Sequence, residues 1–318
     1  MSTPVLTLEN VTKRYGDFTA VDQINLSIPQ GSVYGFLGPN GAGKTTTIRM
    51  ILDIIRPDTG HIDVLGHRSA MDVRHRIGYL PEEKGLYKKM KVWAIISYFA
   101  TLKGMSRSAA RHKAFELLER YGLKDFAESS IESLSKGMGQ KVQVLASIAH
   151  EPELVILDEP FSGLDPVNQE VLEQLIKDLS ANGQTVIFST HIMQHAERLC
   201  QRLLLITQGR KVFDGTVSEA HAIIPRRVVL ETRGDIHSVR QLDGVLSVQE
   251  QPPDDGSARA NGTRQWELYV KEQADPQQIL QHCFENGVSL SRFDFTQASL
   301  HDVFVHLVGK EAREHNFR

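Results

Sequence analysis

The chain has 318 residues, 41% hydrophobic and 24% charged, enough apolar material for a full core and, at this length, for two domains. A formal net charge of −3 removes any electrostatic reason to expect nucleic-acid binding, and two cysteines distant in sequence, Cys200 and Cys283, do not suggest a disulfide framework. No run approaches about 18 consecutive apolar residues, and Met1-Ser2-Thr3-Pro4 lacks the basic start of a signal peptide, so a reduced cytoplasmic protein is expected and any membrane channel must come from another polypeptide.

Along the chain, Val33–Leu37 has strand character and Thr46–Leu52 continues with helical spacing. Between them, Gly38-Pro39-Asn40-Gly41-Ala42-Gly43-Lys44-Thr45-Thr46 reads Gly-x-x-x-x-Gly-Lys-Thr at the strand-to-helix turn that this pattern needs. Gly38, Gly41 and Gly43 let backbone N–H groups turn inward around phosphates, and the helix N-terminus adds about half a positive charge facing them. Lys44 is placed to reach the β- and γ-phosphates and the Thr45 hydroxyl to ligate Mg²⁺, while Asn40, Ala42 and Thr46 complete the residues assigned to a nucleoside triphosphate.

Val92, Trp93, Ile95, Ile96, Phe99 and Leu102 recur at helical spacing, and Ser106 is set to N-cap a second helix with Ala110, Ala114, Leu117 and Leu118 inward. Leu154-Val155-Ile156-Leu157 then ends in Asp158-Glu159-Pro160, the pattern of a buried parallel strand opening onto an active site. Asp158 is placed to hold Mg²⁺, and Glu159 to orient or deprotonate an attacking water.

Beyond Thr216 the pattern predicts strands at 227–231, 245–250, 265–270 and 289–295, helices near 236–241, 276–285 and 300–308, and a polar turn over 252–262. That order, βαββαβ plus a helix, suggests a small ferredoxin-like sandwich. It holds no phosphate loop, paired carboxylates at useful spacing or metal cluster, so a regulatory, dimer-stabilising or partner-docking module is expected.

The loop and the carboxylate strand resemble the Walker A and Walker B elements of the ATP-binding-cassette (ABC) ATPases. Leu134-Ser135-Lys136-Gly137-Met138 stands where that family carries Leu-Ser-Gly-Gly-Gln, Phe161-Ser162-Gly163-Leu164-Asp165-Pro166 resembles its D-loop, and Thr185–His191 its strand ending in the switch histidine. Tyr15 matches the aromatic that stacks on adenine, giving six elements in order over residues 5 to 217. The resemblance implies an α/β fold: a P-loop NTPase cassette over 1–220, with a RecA-like core and a helical subdomain at about 85–150. A small α+β ferredoxin-like domain follows at 225–318.

Roles follow from the same resemblance. The flat Tyr15 ring gives affinity for a base more than selectivity. His191 donates a hydrogen bond to the γ-phosphate and senses its loss. Ser135 and Gly137 cap the ATP held by the opposite subunit through a hydroxyl, backbone N–H groups and a helix N-terminus, and Asp165 of the D-loop is counted among the nucleotide-binding residues. Two departures stand out. Lys136 and Met138 replace the usual Gly and Gln, leaving Lys136 either near phosphate or in solvent. Glu82 replaces the glutamine before the helical insertion: it still ligates Mg²⁺ or its water but cannot donate as an amide does. Leu86, Tyr87 and Met90 then form an exposed apolar cleft for a membrane partner's helix.

The function implied is the ATP-hydrolysing subunit of an export-type ABC transporter. It works as a homodimer with ATP and Mg²⁺, held on the inner face of the membrane by a separate permease, without nucleic acid or covalent cofactor. The transported substrate is not written in this chain. Two other readings remain: a regulatory ABC-type ATPase of a soluble or ribosomal assembly, which commonly has two cassettes or a long coiled coil, and a nucleotide-sensing module, against which Glu159 and His191 argue.

Overall fold

A computed structural model describes residues 4–83, 85, 87–251, 263–271 and 273–315. It divides into two compact units, Met1–Val217 and Ser218–Arg318. The first begins with β1 (Pro4–Tyr15), β2 (Phe18–Pro29), β3 (Val33–Leu37), α1 (Lys44–Ile51), β4 (Thr59–Val64) and β5 (Ile77–Leu80). Three helices follow, α2 (Val92–Leu102), α3 (Arg107–Arg120) and α4 (Lys136–Ile148), then β6 (Leu154–Leu157), α5 (Pro166–Ala181) and β7 (Thr185–Thr190). The unit closes with α6 (Met193–Leu199), β8 (Arg202–Thr207), β9 (Arg210–Thr216) and the start of α7 (Val217–His221).

Strands apolar along their whole length need both faces covered, and that is how the central sheet is built. Its order is β5-β6-β7-β3-β8-β9, parallel except for β9. Successive residues enter opposite cores. Val155, Leu157, Val186 and Phe188 pack toward α2, α3, α4 and α5. Leu154, Ile156, Ile187, Tyr34 and Phe36 pack toward α1 and a second, antiparallel sheet of order β2-β1-β4. The parallel register aligns strand ends: Leu80 sits beside Leu157, Leu157 beside Phe188, and Leu37 beside Thr190. The residues that follow, 38–45, 81–82, 158–159 and 191, therefore emerge along one edge, the usual ligand edge of an open α/β sheet.

Ser106 caps α3, accepting from Ala109 N at 3.2 Å. Leu102, the last of the apolar residues at helical spacing in α2, is 62% exposed, because the last turn of the helix passes beyond the core. Among the described residues no helix is long and apolar enough to cross a membrane.

The second unit holds β10 (Arg226–Thr232), β11 (Val245–Gln251), β12 (Arg264–Val270), α8 (Pro276–Glu285), β13 (Leu290–Thr296) and α9 (Leu300–His315). The order β11-β12-β10-β13, antiparallel throughout, is that of a ferredoxin-like sandwich. Val228, Leu230, Trp266 and Leu268 meet Ile279 and Cys283 of α8 in its core. The helix predicted near 236–241 is instead a 3₁₀ turn, His237–Gln241. The backbone is already extended at Leu242, with ψ 136°, and so few residues do not repay helix nucleation. The predicted polar turn at 252–262 lies outside the described residues.

Candidate nucleotide site

The loop after β3 is shaped by what its glycines must avoid. A Cβ on Gly38 would lie 2.1 Å from the Ile206 carbonyl oxygen, and one on Gly43, at φ +104°, 2.5 Å from that of Ala20. Gly43 is the N-cap of α1, so the free N–H groups of the first helical turn open into the loop. Lys44 curls back across it and donates to Gly38 O at 2.8 Å and Pro39 O at 3.2 Å. This lysine is buried, and its Nζ lies 3.4 Å from Oε1 of Glu159.

The carboxylates after β6 are held by β7. Ser189 Oγ accepts from Glu159 N at 2.8 Å and donates to Asp158 Oδ1 at 2.5 Å. Thr45 Oγ1 reaches the same oxygen at 3.3 Å. Glu159 adopts a left-handed φ of +48°, uncommon for a residue with a side chain, and its Oε2 meets His191 Nδ1 at 3.0 Å. Burial pushes the Asp158 carboxyl above the usual carboxylate range, against the hydrogen bonds from Ser189 and Thr45.

Asp158 Oδ2 is buried with no hydrogen-bond partner among the described residues. An orphaned carboxylate oxygen beside a threonine hydroxyl is a hard-oxygen donor set, which fits Mg²⁺. With the inward-facing amides and a buried lysine, the residues also fit a polyphosphate.

The remaining predicted residues gather elsewhere in the unit. Ser135 N-caps α4, accepting from Met138 N at 3.3 Å, and Asp165 N-caps α5, accepting from Asn168 N at 2.9 Å. A Cβ on Gly137 would stand 2.7 Å from Asn168 Nδ2, and one on Gly163 2.6 Å from Lys136 Nζ. The Lys136 side chain thus lies across the Gly163 backbone, and Met138 packs on the helical core. No hydrogen bond or ion pair among the described residues joins Ser135, Gly137 or Asp165 to the phosphate loop.

Tyr15 is half exposed at the tip of the β1–β2 hairpin, with Lys13 Nζ 5.6 Å from its ring centre. Glu82 follows β5 at the site edge with an exposed side chain and no partner among the described residues. Of the expected apolar cleft, Tyr87 is exposed, Met90 instead packs against the core, and Leu86 lies outside the described residues. Two contributors escaped the sequence reading: Ser189, and Gln140, whose Nε2 donates to Pro160 O at 3.2 Å. Their signal was polarity at fully buried positions, each of which needs a partner.

Residues 21–162 match the family described as ABC transporter, and residues 215–308 match ATP-binding protein DrrA1-3-like, C-terminal domain. The ABC transporter ATP-binding protein YhaQ of Bacillus subtilis is 38% identical over 306 residues, covering 96% of this chain and 99% of its own. Nod factor export ATP-binding protein I of Ralstonia nicotianae is 32% identical over 324 residues, covering 98% and 96%. A solved dimeric ATP-binding cassette in a post-hydrolysis state with ADP and Pi superposes with a TM-score of 0.62 at 25% identity, covering 67% of this chain and 98% of that one. The chain belongs to the ABC transporter ATP-binding proteins.

Proposed function

We propose that this protein hydrolyses ATP as the motor subunit of an exporter whose membrane channel is a separate permease. The observation that carries the reading is the placement of Glu159: its carboxylate is held between Lys44 and His191 at the mouth of the phosphate loop. Lys44 and the loop amides would bind the β- and γ-phosphates, with the adenine on Tyr15. Thr45 and Asp158 would hold Mg²⁺, with Glu82 at its edge, and the bound ion would neutralise charge on the phosphate oxygens. Glu159 would take a proton from the attacking water, and His191 would hold Glu159 and contact the γ-phosphate.

Ser135, Gly137 and Asp165 sit by the N-terminal ends of α4 and α5, among partners of their own and with no hydrogen bond to this loop among the described residues, which supports a homodimer in which each subunit completes its partner's site. The family resemblance to a dimeric cassette and to an export protein supports the same reading. For the permease, a hollow of about 320 Å³ beside Glu82 is lined by Tyr79, Pro81, Phe99, Lys103, Ala146 and His150. Exposed Tyr87, Tyr98 and Leu102 continue an apolar surface on the same subdomain. The second unit, from about residue 218, serves as a separate module modulating association.

The test is Glu159→Gln. It keeps size while losing the base, so ATP should still bind, steady phosphate release should vanish, and a stable ATP-bound dimer should accumulate. Unchanged turnover would remove Glu159 from the mechanism.

A further inference from the structure

The segment after Glu159 is pinned by an aromatic contact that the hydrolytic reading does not use. Phe161, two residues beyond Glu159, stacks on the His195 imidazole with ring centres 4.1 Å apart and planes 11° from parallel. Both side chains are buried, at 3% and 5% exposure. Phe161 also meets the edge of Phe188 at 5.8 Å. His195 lies on α6, four residues past His191, and its Nδ1 is 3.6 Å from Glu173 Oε1 of α5, which Arg198 Nη1 reaches at the same distance.

The stack answers a mechanical need. Glu159 sits at a φ that an ordinary residue keeps only when its surroundings hold it there. The short turn it begins, with Ser162 N donating to Glu159 O at 3.1 Å, is clamped at Glu159 N by Ser189, at Pro160 O by Gln140, and at Phe161 by His195. The first two clamps reach β7 and α4. Of the three, the last links the turn to the helix that carries on from His191.

We infer that His195 is a positioning residue: its ring, stacked under Phe161, fixes the segment bearing Glu159 relative to the segment bearing His191, and so sets the contact between those two side chains. The inference rests on reading them as the hydrolytic pair. An imidazole suits the place because one face can stack on an arene while an edge nitrogen faces the Glu173 carboxylate. Burial holds the His195 ring below its ordinary pKa although Glu173 opposes this.

The test compares His195→Ala, His195→Gln and His195→Phe with wild type in steady-state ATPase assays, alongside ATP affinity and melting temperature. Loss of the plate in Ala and Gln should lower kcat on the order of tenfold, with ATP affinity changed less than about twofold, because the phosphate loop is untouched. His195→Phe restores the plate without the nitrogen and should recover kcat to within about threefold of wild type, even though its melting temperature falls because Glu173 keeps only Arg198. If the Ala variant does not fold, the Gln and Phe variants carry the comparison. Wild-type kcat in folded Ala or Gln variants, or a Phe variant no better than Gln, would overturn the inference. Absent turnover in wild type, or an active Glu159→Gln protein, would instead remove the hydrolytic reading on which it rests.

Discussion

Replacing Ser189 with alanine should both destabilise the first unit and slow hydrolysis. The hydroxyl is fully buried and spends its donor on Asp158 Oδ1 and its acceptor capacity on Glu159 N. A hydrogen bond to a charged group is worth roughly 1.5–3 kcal/mol and a neutral one about 1 kcal/mol, and both partners would remain buried after the change. Thr45 still reaches Asp158 at 3.3 Å, a long contact that offsets little of the loss. The expected cost is therefore about 2–4 kcal/mol, which for a unit of this length lowers Tm by roughly 6–12 °C. Calorimetry in metal-free, nucleotide-free buffer measures this, and the same protein should show kcat reduced on the order of tenfold as Glu159 loses its backbone anchor. A Tm within about 1 °C of wild type would refute the claim that Ser189 carries the two carboxylates.

Three further outcomes follow. Burial raises the Asp158 carboxyl above its unfolded value, so its ionised form opposes folding at neutral pH and that penalty fades as pH falls through the folded pKa. Asp158→Asn should therefore raise the metal-free Tm at pH 7 to 8, lose that advantage in acid, and abolish Mg²⁺-dependent hydrolysis; a lower Tm at neutral pH would contradict the assignment. Burial, with Lys103 nearby, holds His150 at about 4 instead of 6.5, so folding stability should drop as pH falls from 6.5 to 4. His150→Gln should flatten that part of the Tm-against-pH curve, and an unchanged slope would count against it. Truncation after Val217 should leave a folded unit with unaltered ATP affinity, measured by titration calorimetry, and loss of binding in a soluble truncation would mean that the second unit shapes the site.

Legibility varied with the range of the physics. The shape of the loop after β3 was readable because it is a local pattern: Gly38 and Gly43 stand where backbone comes too close for a side chain, and Lys44 and Thr45 follow in sequence. The pair Asp158-Glu159 was readable because a wholly apolar strand that ends in two adjacent carboxylates marks the ligand edge of a parallel sheet. Ser189 was not, since its partners lie about thirty residues away and only strand pairing brings them together. The pattern of the second unit revealed its strands and α8, because alternation and helical spacing are local signals, but 236–241 lacked the length that separates a helix from a 3₁₀ turn. For Lys136 the sequence left two placements open, phosphate or solvent, while the fold lays it across Gly163, a neighbour defined only by the packing of α4 against α5.

The central claim is that each complete site takes its phosphate loop from one copy and its Ser135 segment from another. Mixing Lys44→Ala with Ser135→Arg protein tests it directly, since neither variant alone can form an intact pair, whereas a mixed dimer contains one. At equal mixing half the dimers are mixed, so roughly a quarter of the wild-type sites should be intact, and phosphate release should recover to about that level from near zero in either variant alone. No recovery, with mixed dimers shown to form, or full activity of Ser135→Arg alone, would contradict the composite site.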